Sequence, residues 1–206
     1  MEWLANKLLA APIAYDASQW LVGARRCHAR FMDEMVRPKR GERVLDLGCG
    51  VGACVRDLPH DDIEYVGVDL SEPYIETARA KFGKRATFIC ADVGTVDATG
   101  LGTFDRAFSH GLLHHLPDSV VEQTVDLVRR VVRPGGVYVT LDPCYVPGQS
   151  AMARFLISND RGKFVRDQPT FEKSLSKLGS VQSYIIHDWL RIPYTLIVMR
   201  ATLDAA

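Results

Sequence analysis

This sequence has no long apolar run, no excess charge of either sign and no paired-cysteine motif. The 25 Lys and Arg residues balance 25 Asp and Glu, so no overall field draws the chain toward nucleic acid or an acidic membrane surface. The five cysteines, Cys27, Cys49, Cys54, Cys90 and Cys144, are odd in number and form no C-x-x-C pair. Several lie inside apolar runs, where small buried thiols are common, and a reducing, cytoplasmic setting is expected. The start, Met1 to Pro12, carries Glu2 and Lys7, is too short for a spanning helix and lacks a signal-peptide layout, so a soluble protein is expected. Repeats and low-complexity segments are also missing.

What is present suits one domain: 206 residues, 47% hydrophobic and 24% charged, enough for a core and little more. Residues 1–40 place Trp3, Leu4, Leu8, Leu9, Ile13, Tyr15, Trp20 and Leu21 at helical spacing and predict a helical cover ending at Pro38. From Arg43 to Leu70 the pattern is strand (44–47), glycine turn, short helix (51–58) and strand (65–68), the spacing of a βαβ unit. Ser71 is placed to cap a helix through Phe82, with Glu72 and Pro73 in its first turn.

Strands are expected at 86–90 and 104–109. Ser119-Val120-Val121-Glu122 then has the form of a capping box for a helix with apolar positions 121, 125, 128 and 132. Pro134-Gly135-Gly136 should end that helix before an apolar fifth strand at 137–141, buried on both faces. Phe171, Leu175 and Leu178, closed by Gly179, predict a last short helix before a hairpin of 181–187 and 194–199. The expected fold is α/β, a doubly wound sheet of about seven strands, mostly parallel with a C-terminal antiparallel hairpin. Along it, 41–142 is the ligand-binding core, 143–168 an irregular acceptor-side loop, and 169–206 the terminal helix and hairpin.

The most informative stretch is Val44-Leu45-Asp46-Leu47-Gly48-Cys49-Gly50-Val51-Gly52, with Asp69 closing the next apolar run. Gly48-Cys49-Gly50-Val51-Gly52-Ala53 satisfies G-x-G-x-x-G/A, and Asp69 stands where an acid would meet a ribose, so a nicotinamide dinucleotide is one reading. Asp46 argues against it, because a second negative charge near the turn repels a pyrophosphate and welcomes a cationic cofactor.

Together with three later signals, this stretch resembles the class I S-adenosylmethionine-dependent methyltransferases, whose fold is Rossmann-like. The later signals are Ala91-Asp92-Val93 after strand three, Leu113-His114-His115-Leu116-Pro117 after strand four, and Arg133-Pro134-Gly135-Gly136 before strand five. The resemblance covers Arg43 to Leu141. It implies S-adenosyl-L-methionine as cofactor, with Gly48 and Gly50 under its methionine part and Asp46 near its ammonium. It further implies Asp69 on the ribose hydroxyls, Asp92 and Val93 at the adenine, and Leu70 and Ser109 completing the site. Cys49 is read as a small packing residue. Asp92 and Asp69 also have a plainer reading as turn or cap acids.

A sulfonium methyl is already activated, so the protein's task is to align the acceptor and exclude water. A hydroxyl acceptor gains from a base, and His110, His114 and His115 follow the fourth strand. His114 is the candidate base or acceptor-orienting residue, His110 the second candidate, and His115 is expected to turn into the fold. The alternative is that these histidines only shape the turn. No metal is expected: some quinone-pathway members of the resembled family bind one with acids and a histidine around this loop, and here Gly111 and His114 stand where the acids would be.

The chain has Ser109-His110-Gly111-Leu112 in place of the Asn-Pro-Pro-Tyr type of sequence, which argues against DNA-base and glutamine methylation. Tyr145, Arg161 and Arg166, within a basic and aromatic stretch from Arg154 to Arg166, are candidate acceptor contacts able to clamp a phosphate or carboxylate, or else a solvated lid. Tyr15 and Gln19 are placed to roof the cofactor. The expected activity is methyl transfer to a small molecule, foremost at a hydroxyl of a glycan or secondary metabolite, without nucleic-acid or membrane partners. Carbon or nitrogen methylation, a silent adenosylmethionine-binding module and a nicotinamide oxidoreductase remain as alternatives.

Overall fold

A computed structural model describes residues 23–204. The leading segment through residue 22, including Trp3, Tyr15, Gln19 and Trp20, lies outside the described residues. The described chain opens with α1 (Ala24–Arg30), which runs on through a wider helical turn to Val36. There follow β1 (Arg43–Leu47), a 3-10 turn (Ala53–Asp57), β2 (Glu64–Asp69), α2 (Glu72–Phe82), β3 (Ala86–Cys90), α3 (Ala98–Leu101) and β4 (Phe104–His110). A 3-10 turn (Leu113–His115) leads to α4 (Asp118–Val131) and β5 (Val132–Tyr145). The chain continues through α5 (Ala151–Ser158), β6 (Arg166–Asp167) and α6 (Gln168–Leu175), then β7 (Gly179–Ile186) and β8 (Leu196–Leu203).

The main sheet has the order β3-β2-β1-β4-β5-β8-β7, with β6 paired to β5 off that path. Pairings among β1 to β5 are parallel, and β8 runs antiparallel to both β5 and β7. The order reverses direction at β1, between β2 and β4, and a ligand crevice of an open α/β sheet lies at the carboxyl ends of strands on either side of such a reversal.

Alternation along the strands decides which helices meet which side chains. Leu45 and Leu47 pack with Val121, Val125 and Val128 of α4 and with Phe171 and Leu175 of α6. Val44 packs the other way, with Cys27, Phe31 and Met32 of the leading helix and Ile75 and Ala78 of α2. Both faces of the sheet are therefore covered, and the central strands read as nearly unbroken apolar runs.

Several boundaries differ from the sequence reading. Ser71 occupies the N-cap position of α2, but its side chain makes no capping hydrogen bond; Oδ1 of Asp69 accepts from its backbone N–H at 2.9 Å instead. The cap of α4 is Pro117 rather than Ser119, whose residue lies inside the first helical turn. The segment Pro134-Gly135-Gly136 does not separate helix from strand. Helix α4 gives way directly to β5 at Val132, and the register slips between Phe104 and Arg106 to absorb the glycines as a bulge. The stretch 143–168 is not a bare loop: it contains α5, whose N-terminus is capped by Ser150 Oγ accepting from Ala153 N, and the two residues of β6.

Candidate functional site

The turn after β1 is held from two sides. Gly48 and Cys49 donate backbone hydrogen bonds to the Val68 carbonyl at 2.8 and 3.1 Å, and the Gly50 N–H donates to Asp69 Oδ2 at 2.9 Å. Both carboxylate oxygens of Asp69 are thus engaged by backbone, at Gly50 and Ser71. Gly48 (φ +76°) and Gly50 (φ +53°) are left-handed, a conformation that favours glycine. They differ in surroundings: a Cβ on Gly48 would lie 2.8 Å from Leu112, whereas nothing stands within 4 Å of one on Gly50. Gly50 therefore faces open space, and Gly48 leans on the turn after β4.

Asp46 lies on the Val44 side of β1, fully buried. Tyr65 donates a hydrogen bond to its Oδ2, and Oδ1 has no hydrogen-bond partner among the described residues. Burial drives its pKa up to about 7, opposed by the Tyr65 hydrogen bond and helped by the charge of Asp69. A cation placed at Oδ1 would relieve that penalty. Leu70 is 70% exposed, an apolar surface directly after Asp69. Asp92 is exposed and its Oδ1 accepts from Gly94 N at 2.8 Å, so in this state it closes its own turn; Val93 beside it is buried. Ser109 departs from expectation. It points to the opposite face from His110, is fully buried, and shares a 3.0 Å hydrogen bond with Tyr138 Oη, so its hydroxyl is engaged inside the fold. Cys49 is buried against Gly67, where a Cβ would come within 2.8 Å of its Sγ, a packing role.

Beyond the Leu112 turn lies a cavity of about 320 Å³. His28, His110, His114, His115, Asp160, Arg161 and Tyr194 supply its polar wall, and Leu141, Leu190, Ile192 and Leu196 its apolar one. His114 is the best-anchored ring. Its Nδ1 lies 2.8 Å from Oδ1 of the fully buried Asp142, which also accepts the His114 backbone N–H at 3.1 Å. Its Nε2 stands 3.5 Å from Asp160 Oδ1. Asp160 in turn accepts from Gly162 N at 2.8 Å and from Tyr194 Oη at 2.7 Å.

Burial opposes charge on His114, but its interactions with the Asp142 and Asp160 carboxylates outweigh it and raise its pKa from 6.5 to about 9. Asp160, although burial works against its charge, is held well below the usual carboxylate range by His114, Gly162 and Tyr194. The other rings go the opposite way. Burial and the adjacent His114 charge push His115 down to about 4, and burial pushes His28 to about 4 and His110 well below 6.5. At neutral pH the cavity thus holds one imidazolium between two carboxylates, surrounded by neutral rings. His115 is exposed, contrary to the expectation that it turns inward.

His114, His115 and Asp160 each offer one ligand atom within a 4.8 Å circle. That spacing alone would suit a cation, but His114 Nε2 and Asp160 already oppose each other as an ion pair.

The basic stretch divides. Arg161 lines the cavity, but Arg154 sits with its guanidinium 5.1 Å from the Tyr145 ring, and neither residue lines the cavity. Arg166, expected as an acceptor contact, is engaged within the fold and does not line the cavity. It is buried, and it donates to the carbonyls of Leu113, Phe164 and Leu116 and to Asp118 Oδ1, bracketing the histidine turn to α4. Sequence reading missed Asp142, Asp160 and Tyr194. Asp142 carried a signal, since an acid at the end of a wholly apolar strand must find a partner.

Fold and turn together describe an α/β domain with a glycine turn after β1 and an acid-flanked histidine cavity beyond β4. Residues 44–136 match a family of methyltransferase domains, in agreement with the resemblance to the class I S-adenosylmethionine-dependent methyltransferases. It is 30% identical over 125 residues to 24-methylenesterol C-methyltransferase 2 of Oryza sativa subsp. japonica, a match covering 58% of this chain and 34% of that one. It is 31% identical over 126 residues to 27-O-demethylrifamycin SV methyltransferase of Amycolatopsis mediterranei, covering 57% and 44%. The matches thus span only about a third to under half the length of these relatives. Its fold resembles that of the phosphoethanolamine N-methyltransferase 2 of Haemonchus contortus, solved with phosphomonomethylethanolamine and S-adenosylhomocysteine. The TM-score is 0.76 at 16% identity, with 98% of this chain and 59% of that one covered.

Proposed function

We propose that this protein transfers the methyl group of S-adenosylmethionine to an oxygen of a small-molecule acceptor. The observation that carries the reading is the cavity of about 320 Å³ at the carboxyl ends of β4 and β5, lined by His110, Gly111 and Leu141, a volume for a small molecule and not a macromolecular surface. The residues at the turn fit the cofactor: open space faces Gly50, and the unpartnered Oδ1 of Asp46 offers a buried negative group to an ammonium. Asp69 and Leu70 would hold the ribose and adenine side, and Asp92 would have to leave its own turn to reach an adenine amine.

The cofactor supplies an electrophilic methyl on a sulfonium, so the chain needs no nucleophile of its own. Its residues contribute placement and dryness. Leu141, Leu190, Ile192 and Leu196 exclude water from one side of the cavity. His114, fixed by Asp142, presents Nε2 toward Asp160 and the cavity, and because it already holds its proton at neutral pH it acts as the acceptor-orienting residue and not as the base. His110 lies against Cys27, His28 and Phe31 as part of the cavity wall.

The test is transfer of labelled methyl from S-adenosylmethionine to panels of hydroxyl, carboxyl, amine and carbon acceptors. Label on an oxygen acceptor is expected. Label only on nitrogen or carbon would overturn the oxygen assignment, and cofactor binding with no transfer to any class would point to a binding module.

A further inference from the structure

Two hydrogen bonds and one ion-pair contact converge on the carboxylate of Asp160: the Gly162 amide at 2.8 Å, the Tyr194 hydroxyl at 2.7 Å and His114 Nε2 at 3.5 Å. His114 and Tyr194 come from distant parts of the chain, the turn after β4 and the β7–β8 connection, and both line the cavity. The two carboxylates flanking His114 are not equivalent. Asp142 is fully buried and grips His114 through two short hydrogen bonds. Asp160 has a side chain 30% exposed, stands at the long distance from Nε2, and lies on the cavity wall. The inner carboxylate is sealed in, and the outer one is reachable from the cavity.

We propose that the acceptor enters as an ionised oxygen, a carboxylate or phenolate carried on an apolar body, and replaces Asp160 against His114 Nε2 and Tyr194 Oη. Asp160 is then a tethered stand-in that holds the site closed until such an anion arrives. The wall opposite the donors matches the remainder of that ligand, since Leu141, Leu190, Ile192 and Leu196 offer it no polar partner of their own side chains. The inference rests on the methyltransferase reading. In the transfer, a lone pair on the ionised oxygen forms the new O–CH₃ bond while the C–S bond breaks and its electron pair stays on sulfur. The negative oxygen and the positive sulfonium both become neutral, and no proton has to leave the cavity. This agrees with a site whose best-placed histidine is already protonated.

Calorimetry on EDTA-treated protein saturated with S-adenosylhomocysteine tests the proposal, with benzoate, 4-nitrophenolate and neutral benzyl alcohol as probes at a pH where the first two are ionised. Asp160→Asn keeps the size of the side chain and an oxygen for Gly162 N but removes the competing charge. At least one anion should bind this variant about tenfold more tightly than wild type, the usual direction when a like charge leaves a binding site. Benzyl alcohol should not discriminate between the two proteins. The anion that responds tells a carboxylate from a phenolate acceptor, and His114→Gln should abolish the preference for either. Equal anion affinity in both proteins, or no anion binding to Asp160→Asn while S-adenosylhomocysteine still binds, overturns the proposal. Anion binding that requires added Zn²⁺ also overturns it and assigns the cluster to a metal. Failure to bind S-adenosylhomocysteine would instead remove the methyltransferase reading beneath it.

Discussion

One oxygen of the buried Asp142 carboxylate accepts both the backbone N–H and the ring Nδ1 of His114, at 3.1 and 2.8 Å, so that a single acid fixes the turn and the ring together. The consequence is a ring whose Nε2 orientation is set by a residue with no exposure of its own. Asp142→Asn should reduce kcat about 10²-fold, the cost of misplacing an orienting group by roughly an ångström. Affinity for S-adenosylhomocysteine should stay near wild type, because Asp142 does not touch the glycine turn. Steady-state kinetics with parallel calorimetry checks both halves.

Asp69 holds two backbone amides and is the proposed ribose contact, and its replacement should show both. Asp69→Ala removes a charged hydrogen-bonding group from the proposed cofactor site and should weaken S-adenosylhomocysteine binding by about 1.5–3 kcal/mol. It also leaves the amides of Gly50 and Ser71 without their carboxylate partner, so thermal stability should fall in the absence of ligand. Unchanged affinity would remove Asp69 from the ribose assignment.

Asp46 and His114 each contribute a decline in stability with rising pH, while the depressed His28 and His115, at about 4 against 6.5, contribute a rise between those values. Asp46 has a folded pKa of about 7 against 3.8 for an ordinary Asp, so its share is complete below 3.8 and is lost as pH rises through 7. His114 has a folded pKa of about 9 against 6.5, so its share is complete below 6.5 and is lost as pH rises through 9. In urea denaturation, the difference between wild type and Asp46→Asn should show the contribution that is lost toward pH 7, and the difference between wild type and Asp142→Asn the one that is lost toward pH 9.

Gly162 lies on the far side of the same ring. A Cβ there would come within 1.9 Å of His114 Cδ2, so Gly162→Ala must push the ring or the 159–166 segment aside. The expected cost is about 1–3 kcal/mol, typical of overpacking a filled site. In urea denaturation the variant should be less stable than wild type by that amount, and the NMR titration of His114 should move down from about 9 as the Asp160 contact loosens.

The sheet was readable from the sequence because buried parallel strands are continuous apolar runs punctuated by turn residues, and β1 to β4 fall within a residue of where those runs predict them. The glycine turn was equally legible, since its left-handed residues leave glycine as the natural choice. The histidine site was only half legible. Local sequence shows His110, His114 and His115, but Asp160 and Tyr194 reach His114 through tertiary contacts that no local periodicity encodes. Interleaved basic and aromatic residues look alike whether they face a ligand or brace a turn. Arg161 and Arg166 came from one such stretch and ended on opposite sides of that divide.

The central claim is that the turn at Gly48 and Gly50, with Asp46 and Asp69, is an S-adenosylmethionine site and not a dinucleotide site. Isothermal titration of the wild-type chain with S-adenosylhomocysteine and, separately, with NAD tests it most directly. Saturable one-to-one binding of S-adenosylhomocysteine with no heat from NAD is the predicted result; binding of NAD, or of neither ligand, would contradict it.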